Sequence, residues 1–96
     1  MPTIEEIRAK LIEMICAVQR DSGEAEPILT PKSCPLKDVK GFDSPLGVVV
    51  TGLVAIGLKI EIPFELNVFV DDKKRRLTIE ESTDLICNML KKRSGK

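Results

Sequence analysis

The chain has no histidine, tryptophan or tyrosine, and Phe42, Phe64 and Phe69 are its whole aromatic content. Without histidine, nucleophiles activated by an imidazole base and zinc sites with imidazole ligands are excluded. With so few rings, stacking platforms for single-stranded nucleic acid are lacking, and nucleic acid is not an expected partner. Cys16, Cys34 and Cys87 are odd in number and lack metal-ligand spacing, so no metal site is read from them. Cys16 and Cys87 fall within helical patterns and read as small buried hydrophobes, whereas Cys34 lies in a loop. Neither sign of charge prevails: Lys+Arg and Asp+Glu stand at 15 each, so no global field selects a polyanionic partner. No apolar run reaches the roughly 20 residues of a membrane span. Glu5, Glu6, Arg8 and Lys10 interrupt the first turns, so no secretory signal is read and a reducing cytoplasm is the expected location.

What remains is a single small domain of 96 residues, 43% hydrophobic and 31% charged, a balance that argues against disorder. Ile4, Ile7, Leu11, Met14 and Val18 alternate steps of three and four, which predicts a helix over 3–20. Thr3-x-x-Glu6 supplies its capping box, and Gly23 follows its end. Residues 21–43 form a long connection in which Pro27, Pro31 and Pro35 deny a continuous helix. Its length points to function or to a tied-down crossover, with Ile28, Leu29, Leu36, Val39 and Phe42 as apolar anchors. Leu46 to Leu58 carries no charge at all. Periodicity cannot type this run: Val48–Val50 favour a strand, and Gly47, Gly52 and Gly57 weaken a helix by about 1 kcal/mol each. Pro45 suits a first helical turn and pushes Ser44 toward an extended N-cap, which tips the reading to a helix over 44–58. Phe64 to Val70 predicts a short helix, about 64–69, and Thr78-x-x-Glu81 opens a last helix over 78–92. The expected fold class is therefore all-α, a small four-helix bundle of three main helices, one short helix and a long first loop.

Gly41-Phe42-Asp43-Ser44 ends the long loop and places one serine at the head of the uncharged segment. In this order of elements the chain resembles the acyl carrier proteins, the phosphopantetheine-bearing four-helix carriers. The tetrapeptide looks like their Gly-x-Asp-Ser signature, with Ser44 on the modified serine. Glu61-Ile62-Pro63 looks like the Glu-Ile-Pro that closes the family's second helix, at the family's distance from the serine. Leu36–Val39 and Leu77-Thr78-Ile79 are similar to the segments leading into the signature and the last helix. The likeness covers about residues 29–90.

The resemblance implies a non-catalytic carrier with 4'-phosphopantetheine attached covalently to Ser44. Asp43 is then expected to orient the serine or contact the transferase; its alternative role is that of a plain turn residue. Val48, Leu53, Ile62 and Phe64 are the apolar side chains expected to shelter an acyl chain. The implied partners are a phosphopantetheinyl transferase and the enzymes that load and process the acyl group, in a fatty-acid, lipid or polyketide-type pathway. Two departures stand out. Pro45 replaces the family's usual leucine, and the second helix lacks the acidic residues that dock on partner enzymes. Generic fatty-acid enzymes should then recognise the chain poorly, which suggests a specialised pathway. An exposed helix of this composition would be a large apolar patch. A dedicated partner, self-association through 46–58 or the long loop is expected to cover it. Two other readings stay open: a helical protein-interaction module with no prosthetic group, and a peptidyl carrier in nonribosomal synthesis. The basic runs Lys73–Arg76 and Lys91–Arg93 with Lys96 read as a solvated loop and cations at a helix end, or else as a nucleic-acid or lipid contact.

Overall fold

The computed structural model describes residues 2–63 and 65–94. It is all-α, with helices α1 (Ile4–Asp21), α2 (Pro35–Asp38), α3 (Ser44–Leu58) and α4 (Ile79–Ser94). Among the described residues the nearest thing to a sheet is an isolated antiparallel bridge between Val70 and Arg76.

The longest helices start where their local chemistry dictates. Thr3 Oγ1 accepts from the Glu6 N–H while Glu6 Oε1 accepts from the Thr3 N–H, at 3.1 and 2.8 Å, a complete capping box. Thr78 and Glu81 repeat the exchange at the head of α4, at 3.1 and 2.9 Å. Ile7, Leu11, Ile15 and Val18 form the buried stripe of α1. Ile4 lies outside it, 46% exposed, because the helix start overhangs the core.

Helix α1 is the wall against which both α3 and α4 pack. The core between them holds Val50 and Val54 from α3 and Ile79 and Ile86 from α4. Val39, Phe42, Val68 and Phe69 close its end, and the Phe42 and Phe69 rings meet edge-on with centroids 5.5 Å apart. That geometry sets the positive edge of one ring against the negative face of the other.

The long connection is an ordered strap. Leu29 and Leu36 pack on the core and Val39 and Phe42 are buried in it. Ile28, expected as an anchor, is 96% exposed. Pro35 starts the single turn of α2, whose Asp38 carboxylate accepts from the Cys34 N–H at 2.8 Å. The strap also seals α4: Ile79 N–H donates to Ser33 C=O and Glu80 N–H to Pro31 C=O, at 2.8 and 2.9 Å. With Glu81 N–H on Thr78 Oγ1, the first donors of α4 all have partners. Cys16, in α1, donates its thiol to Pro27 C=O at 3.7 Å, and burial pushes that thiol's pKa up from its ordinary 9.0.

The short helix expected over 64–69 is not there in the described residues 65–69, which run as turns; Phe64 lies outside the described residues. Asn67 explains the difference. Its side-chain oxygen accepts from the Phe69 N–H at 2.9 Å, an Asx turn that competes with helix. The Val68 N–H donates to Thr51 Oγ1 at 3.2 Å, away from any helical ladder. The fourth, short helix is instead the turn of α2, inside what the sequence marks as loop.

Candidate functional site

Glycine at position 41 is required by the backbone, which turns there at φ +80°, a region that L side chains rarely adopt. The Lys40 carbonyl just before it accepts from Gln19 Nε2 at 2.7 Å. Gln19 is itself buried, so α1 clamps the end of the strap from inside. Phe42 then sinks its ring into the core at 3% exposure. With residues 40 and 42 fixed, Asp43 and Ser44 emerge on the surface in a set orientation.

The helix cap is Asp43, and not Ser44 as the sequence suggests. Asp43 has an extended backbone, and its Oδ1 accepts from the Leu46 N–H at 3.2 Å. Ser44 is therefore the first helical residue and Pro45 the second. Proline is tolerated there because the first N–H groups of a helix have no intrahelical acceptor. Ser44 is exposed, and its Oγ makes no hydrogen bond with the described residues. Its carbonyl accepts from Asn67 Nδ2 at 3.2 Å, which ties the head of α3 to the turn before the Val70–Arg76 bridge.

Donors at this helix head are few. Pro45 has none, the Leu46 N–H is spent on Asp43, and Gly47 N–H already closes the first helical bond on Asp43 C=O at 2.9 Å. The Ser44 N–H alone is left for a ligand. The head of α3 thus offers an anion its dipole and one donor, beside the Asp43 carboxylate.

Helix α3, packed on α1, buries Gly47, Val50, Thr51, Val54 and Ala55. Thr51 acts in two directions, since its hydroxyl donates to Gly47 C=O at 2.7 Å and accepts from Val68 N–H. The opposite stripe is bare, with Val49 50% and Ile56 76% exposed and Pro45 exposed beside them. The strap does not cover this stripe. The helix ends at Lys59, whose backbone turns left-handed at φ 57°.

The acyl-shelter residues are not all brought together. Ile62 lines an open, largely apolar cleft of about 630 Å³ with Gly52, Ala55, Ile56 and Ile60. Leu53 packs on the edge of the core, and Val48 is half-buried on the Ser44 side of α3. Phe64 is outside the described residues. Two positioning side chains carry no signal in the sequence: Gln19 reads as a polar residue near a helix end, and Asn67 sits in an apolar run without periodicity.

Among the described residues no helix is long and apolar enough to cross a membrane, and no cluster of three or more potential ligands could hold a metal ion. Comparisons with protein-family models, with curated proteins and with solved structures return no match.

Proposed function

We propose that the chain is an acyl carrier protein whose Ser44 bears a 4'-phosphopantetheine arm. The observation that carries the reading is the Gly41–Ser44 turn: a buried Phe42, a clamped Lys40 carbonyl and an Asp43 cap hold one unengaged, exposed serine hydroxyl at the first position of α3. Its register with Glu61-Ile62-Pro63, and the all-α architecture around both, agree with it.

The residues at the turn fit such an attachment. A phosphodiester on an exposed hydroxyl needs open space rather than a cavity, and the Ser44 N–H and the helix dipole favour its negative charge. Pro45 and Asp43 reduce that favour, so the covalent bond, and not a built anion site, is what holds the group. When attached, the arm's terminal thiol carries acyl groups as thioesters between enzymes.

The chain's own residues act by position. Among the described residues Ser44 Oγ has no hydrogen-bonded base, so the transferase must take its proton as the oxygen bonds to the donor's phosphorus and the donor's nucleotide phosphate leaves. Asp43 fixes the helix start and presents a carboxylate beside the hydroxyl, where the transferase can read it. The protein supplies tether and address without catalysis, and the tether raises the local concentration of cargo at each partner. Ile62 and its cleft are the apolar surface on which an acyl chain would rest. The uncharged α3 points to partners other than generic fatty-acid enzymes.

Co-expression with a broad-specificity phosphopantetheinyl transferase, followed by intact mass, tests the reading. One added arm is expected, and none in Ser44→Ala. An unmodified chain beside a modified control carrier would overturn it. That outcome would favour a helical interaction module, a reading that the bare Val49 and Ile56 support.

A further inference from the structure

The basic run at 73–76 has no part in a Ser44-centred function. In the fold it does not stand alone. Lys74, Arg75 and Arg76 face Lys32 and Lys37 of the strap across one open cleft of about 570 Å³. All five side chains are exposed, and they come from segments some 40 residues apart in sequence. Among the described lining residues the one carboxylate, Asp38, is held by the Cys34 N–H. In a chain whose charges balance overall, four cations unpaired among the described residues, with Arg75 paired to Asp71, against one engaged carboxylate is a local excess. Cations this close repel one another within a Debye length.

The excess is also held in place. Asp71 organises the turn: its Oδ1 accepts from the Lys73 and Arg75 N–H groups at 2.9 and 2.8 Å, and its Oδ2 meets Arg75 Nε at 3.1 Å. The Asp71 N–H donates to Arg75 C=O at 3.0 Å, and the Val70–Arg76 bridge closes the base. Within this turn Lys74 sits at φ 66°, a left-handed conformation that is unfavourable for a lysine. A solvated linker of lysines needs neither the Asx bonds nor the strain. Strain that surrounding bonds over-determine tends to mark a functional surface.

We propose that this cleft is a docking surface for an acidic segment of a partner protein. The proposal is independent of whether Ser44 carries an arm. Charge complementarity is the recognising chemistry, and two fixed cationic edges suit carboxylates presented on a folded surface. Among the described residues the lining has no aromatic ring to stack bases, and Phe42 and Phe69 are buried in the core. Nor do the described lining residues include an exposed apolar side chain that would enter a lipid surface; the uncharged ones, Cys34 and Thr78, are half-buried.

The test uses the full chain and fluorescence anisotropy of a short labelled peptide of alternating glutamate and serine. The peptide should bind at low salt and weaken as salt rises. The double variant Lys74→Glu/Arg76→Glu should lose about tenfold or more in affinity, with its helical circular dichroism unchanged. Lys91→Glu/Lys92→Glu, in the other basic run, should bind like the parent. Equal loss in both variants, or absence of peptide binding, would overturn the proposal. So would tighter binding to single-stranded DNA or to anionic phospholipid vesicles than to the peptide.

Discussion

Replacing Gly47 and Gly52 with alanine, one at a time, puts the same methyl group on the same helix in two different surroundings. In a helix interior alanine is favoured over glycine by about 1 kcal/mol. At Gly52 a Cβ would meet nothing within 4 Å, so the whole gain should appear. At Gly47 the Cβ would stand 2.7 Å from both Nδ2 and Oδ1 of Asn67 and 2.9 Å from its Cγ. The carboxamide must leave, and it holds both the Ser44 carbonyl and the Phe69 N–H. Losing the first bond costs about 1 kcal/mol, and leaving the donor of buried Phe69 unpaired costs about 1–3 kcal/mol. Against the propensity gain, the net is a destabilisation of about 1–3 kcal/mol. A domain of this size shifts about 4–8 °C per kcal/mol. Gly52→Ala should therefore raise Tm by about 4–8 °C while Gly47→Ala lowers it, with matching changes in urea midpoint at constant slope. In an Asn67→Ala background the obstacle is gone, and adding Gly47→Ala should become stabilising. Equal stabilisation by the two single alanines would refute the close approach of Asn67 to α3, and with it the account of how Ser44 is positioned.

Asp43→Ala should cost about 1 kcal/mol in chemical denaturation, and Asp43→Asn much less, because either side-chain oxygen can accept from Leu46. Ser82 is fully buried with its hydroxyl unpartnered among the described residues, so Ser82→Ala should stabilise by about 1 kcal/mol and raise the urea midpoint. The Asp71 carboxyl is held below its ordinary 3.8, chiefly by the Arg75 N–H, against some desolvation, and further by the Lys73 N–H and the Arg75 guanidinium. A depressed carboxyl stabilises its turn above the unfolded value and stops doing so as pH falls through the lower folded one. The Lys73 and Arg75 amide shifts should titrate with a midpoint below pH 3.8; a midpoint at or above it would contradict the assignment.

Local signals and tertiary demands divide what the sequence makes legible. Thr3-x-x-Glu6 and Thr78-x-x-Glu81 both close their boxes, since a capping box needs only residues three apart. The helix over 44–58 follows from Pro45 rather than from periodicity, because a run apolar on all sides has no face to read. The cap falls one residue earlier than the sequence suggests, as aspartate and serine are equally good caps and adjacent candidates are not told apart by residue type. Residues 65–69 fail as a helix for one reason inside their own stretch, the Asx turn at Asn67, and one outside it: Thr51, on α3, takes the Val68 donor. The basic run is visible in sequence, but its meeting with Lys32 and Lys37 depends on the strap's path to α4.

That α1 is the shared wall bears on how the chain comes to be folded. In synthesis α1 emerges first, and domains of growing chains tend to fold as units. Its buried stripe has nothing to rest on until α3 has been made, and the side that receives Ile79 and Ile86 stays wet until α4 follows. The strap is in the same position, since its carbonyls at 31 and 33 wait for the amides of residues 79 and 80. Anchoring of the strap behind the Ser44 turn is therefore completed only once α4 is made, and a chain cut before α4 should keep the Asp43 cap and the Gln19 clamp but lose the strap's hold at residues 31 and 33.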